Sequence, residues 1–172
     1  MPPFLRFPKM TLAHLNAMDR AQFVDTIGWI FEHSPWVAER AWSHRPFATF
    51  AALQAAMVSE VETARPEEQL ALLRAHPDLG TRARISEAST GEQAAAGLDR
   101  LTAAEFAQLQ RLNAAYHEKF GFPFLHAVKG STKYDILQAL ERRLANSPDR
   151  EYQEALRQVY RIAEFRLHQT VQ

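Results

Sequence analysis

With 172 residues, 47% of them hydrophobic and 10% aromatic, the chain has material for one domain with a real core and is neither disordered nor fibrous. Lysine plus arginine and aspartate plus glutamate balance at 20 each, which argues against a nucleic-acid or anionic-membrane partner. The absence of cysteine removes disulfides, thiolate zinc sites and a cysteine nucleophile from consideration. No apolar run approaches a membrane span, the start MPPFLRFPKM has no signal-peptide apolar region, and the final Thr-Val-Gln is not a peroxisomal address. The expectation is a soluble, cytoplasmic protein.

Taken in order, the chain reads as helix after helix. Residues 1–10, with three prolines, form an extended arm, and a short turn is expected around Thr11–Asn16. Asp19 with Gln22 opens a helix on which Phe23, Ile27, Ile30 and Phe31 recur at helical spacing. Ser34-Pro35 restarts it, serine capping and proline at the first helical position, with Trp36, Val37 and Ala41 inward. After a break at Arg45-Pro46, Phe50, Leu53, Met57 and Val61 share one face. Pro66 opens the next helix, where Leu70 and Leu73 point inward. Thr102 and Glu105 form a capping box for a long helix carrying Phe106, Leu109, Leu112, Tyr116 and Phe120, which Gly121 ends. A helix from about Lys133 to Asn146 has Ile136, Leu137, Leu140 and Leu144 on its apolar face. Ser147-Pro148 caps the last one, with Leu156, Val159, Ile162 and Ala163 inside. There is no period-2 alternation, hairpin signal or internal repeat. The expected fold is all-α: a single domain over 1–172, a bundle of about eight helices.

The chemistry concentrates in HPDLGTRARISEASTGEQAAAGL, residues 76–98. Pro77 cannot continue a helix and pushes His76 towards extended geometry, and Gly80 permits a sharp turn. Ser89, Glu92 and Gln93 follow in the same turn-rich connection, the kind of loop that carries function on a rigid scaffold. Each part also has a bland reading. Ser89-x-x-Glu92 is a capping box, and a histidine before proline reads as structural when taken alone. Capping and ligand binding are compatible, because a helix start also binds polar substrate atoms.

Several classes drop out. The seven histidines are scattered, with no HExxH and no EF-type acidic loop, so no metal site is expected. GxGxxG and GxxxxGK[ST] are absent, and Ser89 lacks the GxSxG context of a nucleophile elbow. What survives is a cofactor-free site of polar loop side chains with an anion receptor among the arginines.

The residues themselves resemble the decarboxylases that act on 2-oxo-4-hydroxy-4-carboxy-5-ureidoimidazoline (OHCU) in urate breakdown. The matching pieces are SPWVAERAW at 34–42, RPF at 45–47, EEQLALLRAHPDLG at 67–80, SxxEQ with AGL at 89–98, LNAAYHEKFGFPF at 112–124, AVKG at 127–130 and IAEFRL at 162–167. They run in the family's order, and together they are highly specific. The resemblance implies an all-helical enzyme without metal or organic cofactor, generally homodimeric, that produces allantoin and carbon dioxide.

It also implies roles. His76 would be the catalytic residue, with Pro77 beside the substrate. Ser89, Glu92 and Gln93 would contact the ring and ureido group, Glu92 orienting the imidazole or accepting ureido N–H bonds. Arg166 would hold an anionic or carbonyl oxygen. Backbone groups of the loop Phe124, Leu125, His126, Ala127 and Val128 would complete the pocket, with His126 standing where an aliphatic residue is expected. An imidazole of ordinary pKa about 6.5 exchanges protons near neutrality, as base or as acid. Two other readings stand beside this one. One is a non-catalytic helical module that keeps the fold. The other is a hydrolase of a related ureide, which needs an activated water and hence a metal or a second carboxylate near His76, where Asp78 is the only nearby candidate.

Overall fold

The computed structural model describes residues 8–81 and 86–172. Nine α-helices and one 3-10 turn (Trp42–His44) occur among them, and the only extended pairing among the described residues is an isolated parallel bridge between Met10 and Val171. The all-α expectation holds. Of the proposed N-terminal arm, residues 1–7 lie outside the described residues. No helix of the described residues is long and apolar enough to cross a membrane. The chain divides into two compact units, residues 1–72 with 162–172, and residues 73–161.

The first unit holds α1 (Leu12–Ala17), α2 (Arg20–Ile27), α3 (Trp36–Ala41), α4 (Phe50–Glu62), most of α5 (Pro66–Ala75) and the end of α9 (Pro148–Thr170). Where a turn is expected at Thr11–Asn16 the chain makes the six-residue helix α1, because the Thr11 hydroxyl accepts the His14 amide at 3.2 Å and caps it. At α2 both halves of the Asp19–Gln22 capping box form. That helix stops at Gly28, so Ile30 and Phe31 are buried from the turn beyond it rather than from the helix face. The Trp29 indole N–H donates to the Thr26 carbonyl at 3.1 Å, taking up one of the carbonyls this ending leaves open.

The Ser34 cap does not form. Its hydroxyl donates to the Glu32 carbonyl at 2.8 Å, and α3 starts behind Pro35 without a side-chain cap. His33 beside it has φ +45°, a left-handed conformation that few non-glycine residues adopt. Leu15, Phe23, Ile27, Val37, Leu53, Met57 and Val61 form the core of this unit. Leu72, not Leu70, is its buried leucine from α5.

The second unit holds the end of α5, then α6 (Glu87–Ala95), α7 (Ala103–Phe120), α8 (Lys133–Leu144) and α9 as far as Arg161. Leu109, Ile136, Leu140, Ala155 and Val159 are its apolar centre. The Tyr116 ring lies 4.6 Å from that of Phe120, 5.9 Å from Phe122 and 5.4 Å from Phe124, between centroids. Its hydroxyl donates to Glu151 at 2.6 Å, a carboxylate with no exposed surface that also accepts from Arg143 Nε at 2.7 Å and Asn146 Nδ2 at 2.9 Å. Burial, then the hydrogen bond to Glu151, push the Tyr116 phenol well above its ordinary pKa. It stays a neutral donor.

Thr102 caps α7, and the Glu105 carboxylate three residues on pairs with Lys133 at 2.7 Å. On α8 the buried end position is Arg143, whereas Leu144 is only half-buried.

Candidate active site

Helix α5 ends at Ala75, the His76 amide donates to the Leu73 carbonyl at 3.3 Å, and Pro77 blocks another helical turn. The chain then reverses at Gly80, whose φ of +71° favours glycine; a Cβ there would lie 2.5 Å from Leu109 Cδ2 and would displace that side chain. Three side-chain contacts fix this His-Pro-Asp-Leu-Gly turn, and a fourth holds Arg74, two residues before it. The Gly80 amide donates to Gln93 Oε1 at 2.8 Å, and Asn113 Nδ2 donates to the Leu79 carbonyl at 3.1 Å. His117 Nε2 meets Asp78 Oδ1 at 2.6 Å, and Arg74 Nε donates to the Gly121 carbonyl at 2.9 Å. His76 itself is only 7% exposed. It lines a cleft of about 300 Å³ together with Arg74, Asp78, His117, Gly121 and Pro123.

The expected capping box at Ser89 is displaced by three residues. The cap of α6 is Ser86, whose hydroxyl accepts from the Ser89 amide at 3.2 Å. Ser89 therefore lies inside the helix, and its hydroxyl is not the cap. Ser89 and Gln93 sit one turn apart on one face, both buried, with Glu92 half-buried beside them. Gln93 brings α6 to the His76 turn through its carbonyl oxygen. Ser89, Glu92 and Gln93 are not among the residues lining the cleft. Of the stretch at 76–98, residues 82–85 lie outside the described residues.

The loop after α7 is fixed from beneath. Arg143 Nη1 donates to the Leu125 carbonyl at 2.6 Å while its guanidinium lies 4.4 Å from the Phe124 ring centroid, and the Ala127 amide donates to Gln158 Oε1 at 2.9 Å. Two backbone groups expected to face a ligand are thus engaged within the protein. Phe124, Leu125, Ala127 and Val128 are buried, whereas His126 is half-buried, its ring parallel to Phe124 at 5.9 Å and its Nε2 3.3 Å from the Ser131 hydroxyl. Desolvation, then the charges of Arg143, Arg161 and Arg142, push the His126 imidazole down to about 4. At neutral pH it is an uncharged ring, which suits a position expected to be aliphatic.

Arg166 lies in the first unit. It is 1% exposed, with Nη2 2.8 Å from Glu32 Oε2 and Nη1 donating to the Ile30 carbonyl at 3.3 Å. The Trp29 ring centroid is 5.9 Å from its guanidinium carbon. Glu32, Asn113, His117, Arg143 and Gln158 are the residues that reading the sequence missed. Only Glu32 had a visible signal, a carboxylate directly after the apolar run from Ile27 to Phe31. The others hold the histidine turn or the 124–128 loop through contacts that span 18 to 39 residues. Among the described residues no three histidine, aspartate or glutamate side chains gather as a metal ion requires.

Comparison with known proteins bears on what this arrangement does. The family model for OHCU decarboxylase matches residues 16–168. A 2-oxo-4-hydroxy-4-carboxy-5-ureidoimidazoline decarboxylase of Haloferax volcanii is 50% identical over 92% of this chain and 95% of its own length. A crystal structure of (S)-allantoin synthase matches with TM-score 0.76 at 33% identity, covering 94% of this chain; the chain spans about half, 54%, of that protein. A crystal structure of OHCU decarboxylase in the presence of (S)-allantoin matches with TM-score 0.64 at 26% identity, over 77% of this chain and 87% of that one. The histidine turn, the buried α6 face and the arginine on the last helix thus stand within a match that spans nearly the whole sequence, and the chain belongs to the OHCU decarboxylase family.

Proposed function

We propose that this chain decarboxylates 2-oxo-4-hydroxy-4-carboxy-5-ureidoimidazoline to (S)-allantoin, with His76 as the proton-transfer residue. The observation that carries this reading is the family match over residues 16–168, which includes the buried histidine and its fixed turn. The family match covers both compact units, so we take the chain as one catalytic domain. A homodimer in the cytoplasm is the assembly and location that go with the family resemblance.

The substrate's own ring supplies the electron sink. The bond from the hydroxyl-bearing carbon to its carboxylate breaks and carbon dioxide leaves. The electron pair forms a double bond to the ureido-bearing carbon, and the pair of the adjacent C=N bond moves onto the ring nitrogen, which takes up a proton. The enol then loses its hydroxyl proton to become a carbonyl, and a proton is delivered to the ureido-bearing carbon. His76, held on one side of the planar intermediate, manages these transfers. Ser89, Glu92 and Gln93 bind the ring and ureido group, Pro77 and the 124–128 loop line the pocket, and Arg166 receives a carbonyl or carboxylate oxygen. Asp78, which a hydrolytic reading would need as a second carboxylate, is already paired with His117.

Incubation with freshly generated substrate, following carbon dioxide release and the circular dichroism of the product, tests this. One imidazole fixed on one face delivers its proton to that face, so a single enantiomer is expected, with or without exhaustive chelation. Solvent protonates both faces. A racemic product removes His76 as the source of the proton, and abolition by chelator with rescue by zinc moves the chain to metal-dependent chemistry.

Arg166→Lys separates charge from shape. The lysine retains the positive charge opposite Glu32 but not the planar fork that holds oxygens bidentately. A drop in kcat/KM of more than about tenfold is expected, the equivalent of about 1.4 kcal/mol for a lost charge-assisted bond. Equal activity in steady-state assays would reduce Arg166 to a structural partner of Glu32.

A further inference from the structure

Helix α7 meets the catalytic turn at regular intervals. Asn113 and His117 are four residues apart, hence on one face, Gly121 follows as the left-handed cap of the helix, and the three contact Leu79, Asp78 and Arg74 in that order. The helix lies along the segment Arg74–Leu79 like a splint, running opposite to it, with His76 between the contacts. We propose that His117, acting through Asp78, is a positioning residue for His76. This rests on the reading of His76 as the proton-transfer residue.

Three observations carry it. The His117–Asp78 contact is short, 2.6 Å, and both side chains line the same cleft as His76. Both are also well exposed, 42% and 43%, and a surface pair of this kind contributes little to stability. Its remaining consequence is geometric. Asp78 follows His76 across one proline whose ring fixes φ, so a displaced Asp78 carries the His76 backbone with it. The neighbouring contact, Asn113 to the Leu79 carbonyl, is buried and belongs to the core. His117 is therefore the contact that can be removed without disturbing the interior.

The test compares His117→Ala, His117→Gln, Asp78→Ala and the alanine double variant, using freshly generated OHCU. His117→Ala is expected to lower kcat by about tenfold with KM changed by less than about twofold, below the roughly 10²-fold that a 1 Å misplacement costs. The enantiomeric excess of the allantoin should fall as well, because a loosened imidazole lets solvent compete for the carbon. Glutamine places an N–H donor at similar reach, so His117→Gln should restore both quantities. The double variant should be no worse than either single one, since the two residues act as a unit. Wild-type kcat and enantiomeric excess in His117→Ala would overturn the positioning role while leaving His76 in place. So would a loss confined to KM, or one that tracks thermal stability and ignores the glutamine rescue. A racemic product from the wild-type chain overturns both this role and the proton transfer by His76.

Discussion

His76→Ala should give a folded protein whose turnover is down by about 10²–10⁴-fold, the contribution of a positioned general acid or base. The turn that carries the histidine is held by the side chains of Gln93, Asn113 and His117, and Arg74 just before it is tied to Gly121, so these contacts remain when the imidazole is removed. The imidazole is nevertheless buried, so its removal should cost about 1–2 kcal/mol of stability rather than nothing. Thermal unfolding followed by circular dichroism measures that cost. Carbon dioxide release alone is an ambiguous readout, because substrates of this type lose carbon dioxide slowly without help. Optical activity of the allantoin separates residual catalysis from spontaneous decay. A folded variant with near-normal turnover would take His76 out of the reaction.

The second large effect is expected far from His76. Glu151→Ala removes the carboxylate shared by Tyr116, Arg143 and Asn146 and leaves the Arg143 guanidinium, 5% exposed, without its counter-charge. Breaking a buried pair from one side costs about 3–5 kcal/mol. For a chain of this size the melting midpoint should fall by about 10 °C. Tyr116→Phe, which deletes one hydrogen bond and keeps the ring stack, should cost only about 1 kcal/mol. Replacing both charges together, as Glu151→Leu with Arg143→Met, should recover most of the loss, because no lone buried charge remains. Denaturant titration of the four proteins checks the ordering. A Glu151→Ala midpoint equal to that of Tyr116→Phe would mean that the charge pair does not dominate.

The helices were legible because their apolar spacing repeats within a few residues, as Leu53, Met57 and Val61 on α4 illustrate. Asp19 with Gln22 was legible for the same reason. Errors arose where two local solutions compete. Ser86 and Ser89 are both serines followed three residues on by a residue that tolerates a first helical turn, and only the fold decides which one caps α6. Ser34 satisfies the turn behind it instead of the helix ahead. Leu70 and Leu72 are both placed for packing, and tertiary context buries the second.

The site divides in a similar way. The HPDLG turn and the α6 residues were visible as chemistry crowded into a connection, and the family motifs gave them roles. The side chains that hold the turn were not visible, since Asp78 and His117 are 39 residues apart and Arg74 and Gly121 are 47 apart. Nothing in local periodicity distinguishes His117, on an exposed stretch of α7, from any other surface histidine. Arg143 was likewise hidden, because a cation at helical spacing reads as solvated until Glu151 is seen beneath it.

The hold that Arg143 and Gln158 have on the Leu125 carbonyl and the Ala127 amide has an evolutionary consequence. The course of that loop is set by side chains on α8 and α9, outside the loop's own sequence. Substitutions at its half-buried position 126 should therefore leave its path unchanged. At 126 the chain carries a neutral histidine, accommodated by ring stacking on Phe124. A library randomised at this position should return folded proteins at high frequency, because the contacts that set the path of the loop are made by its neighbours, so tolerance to mutation is concentrated at a residue whose surroundings are fixed from outside.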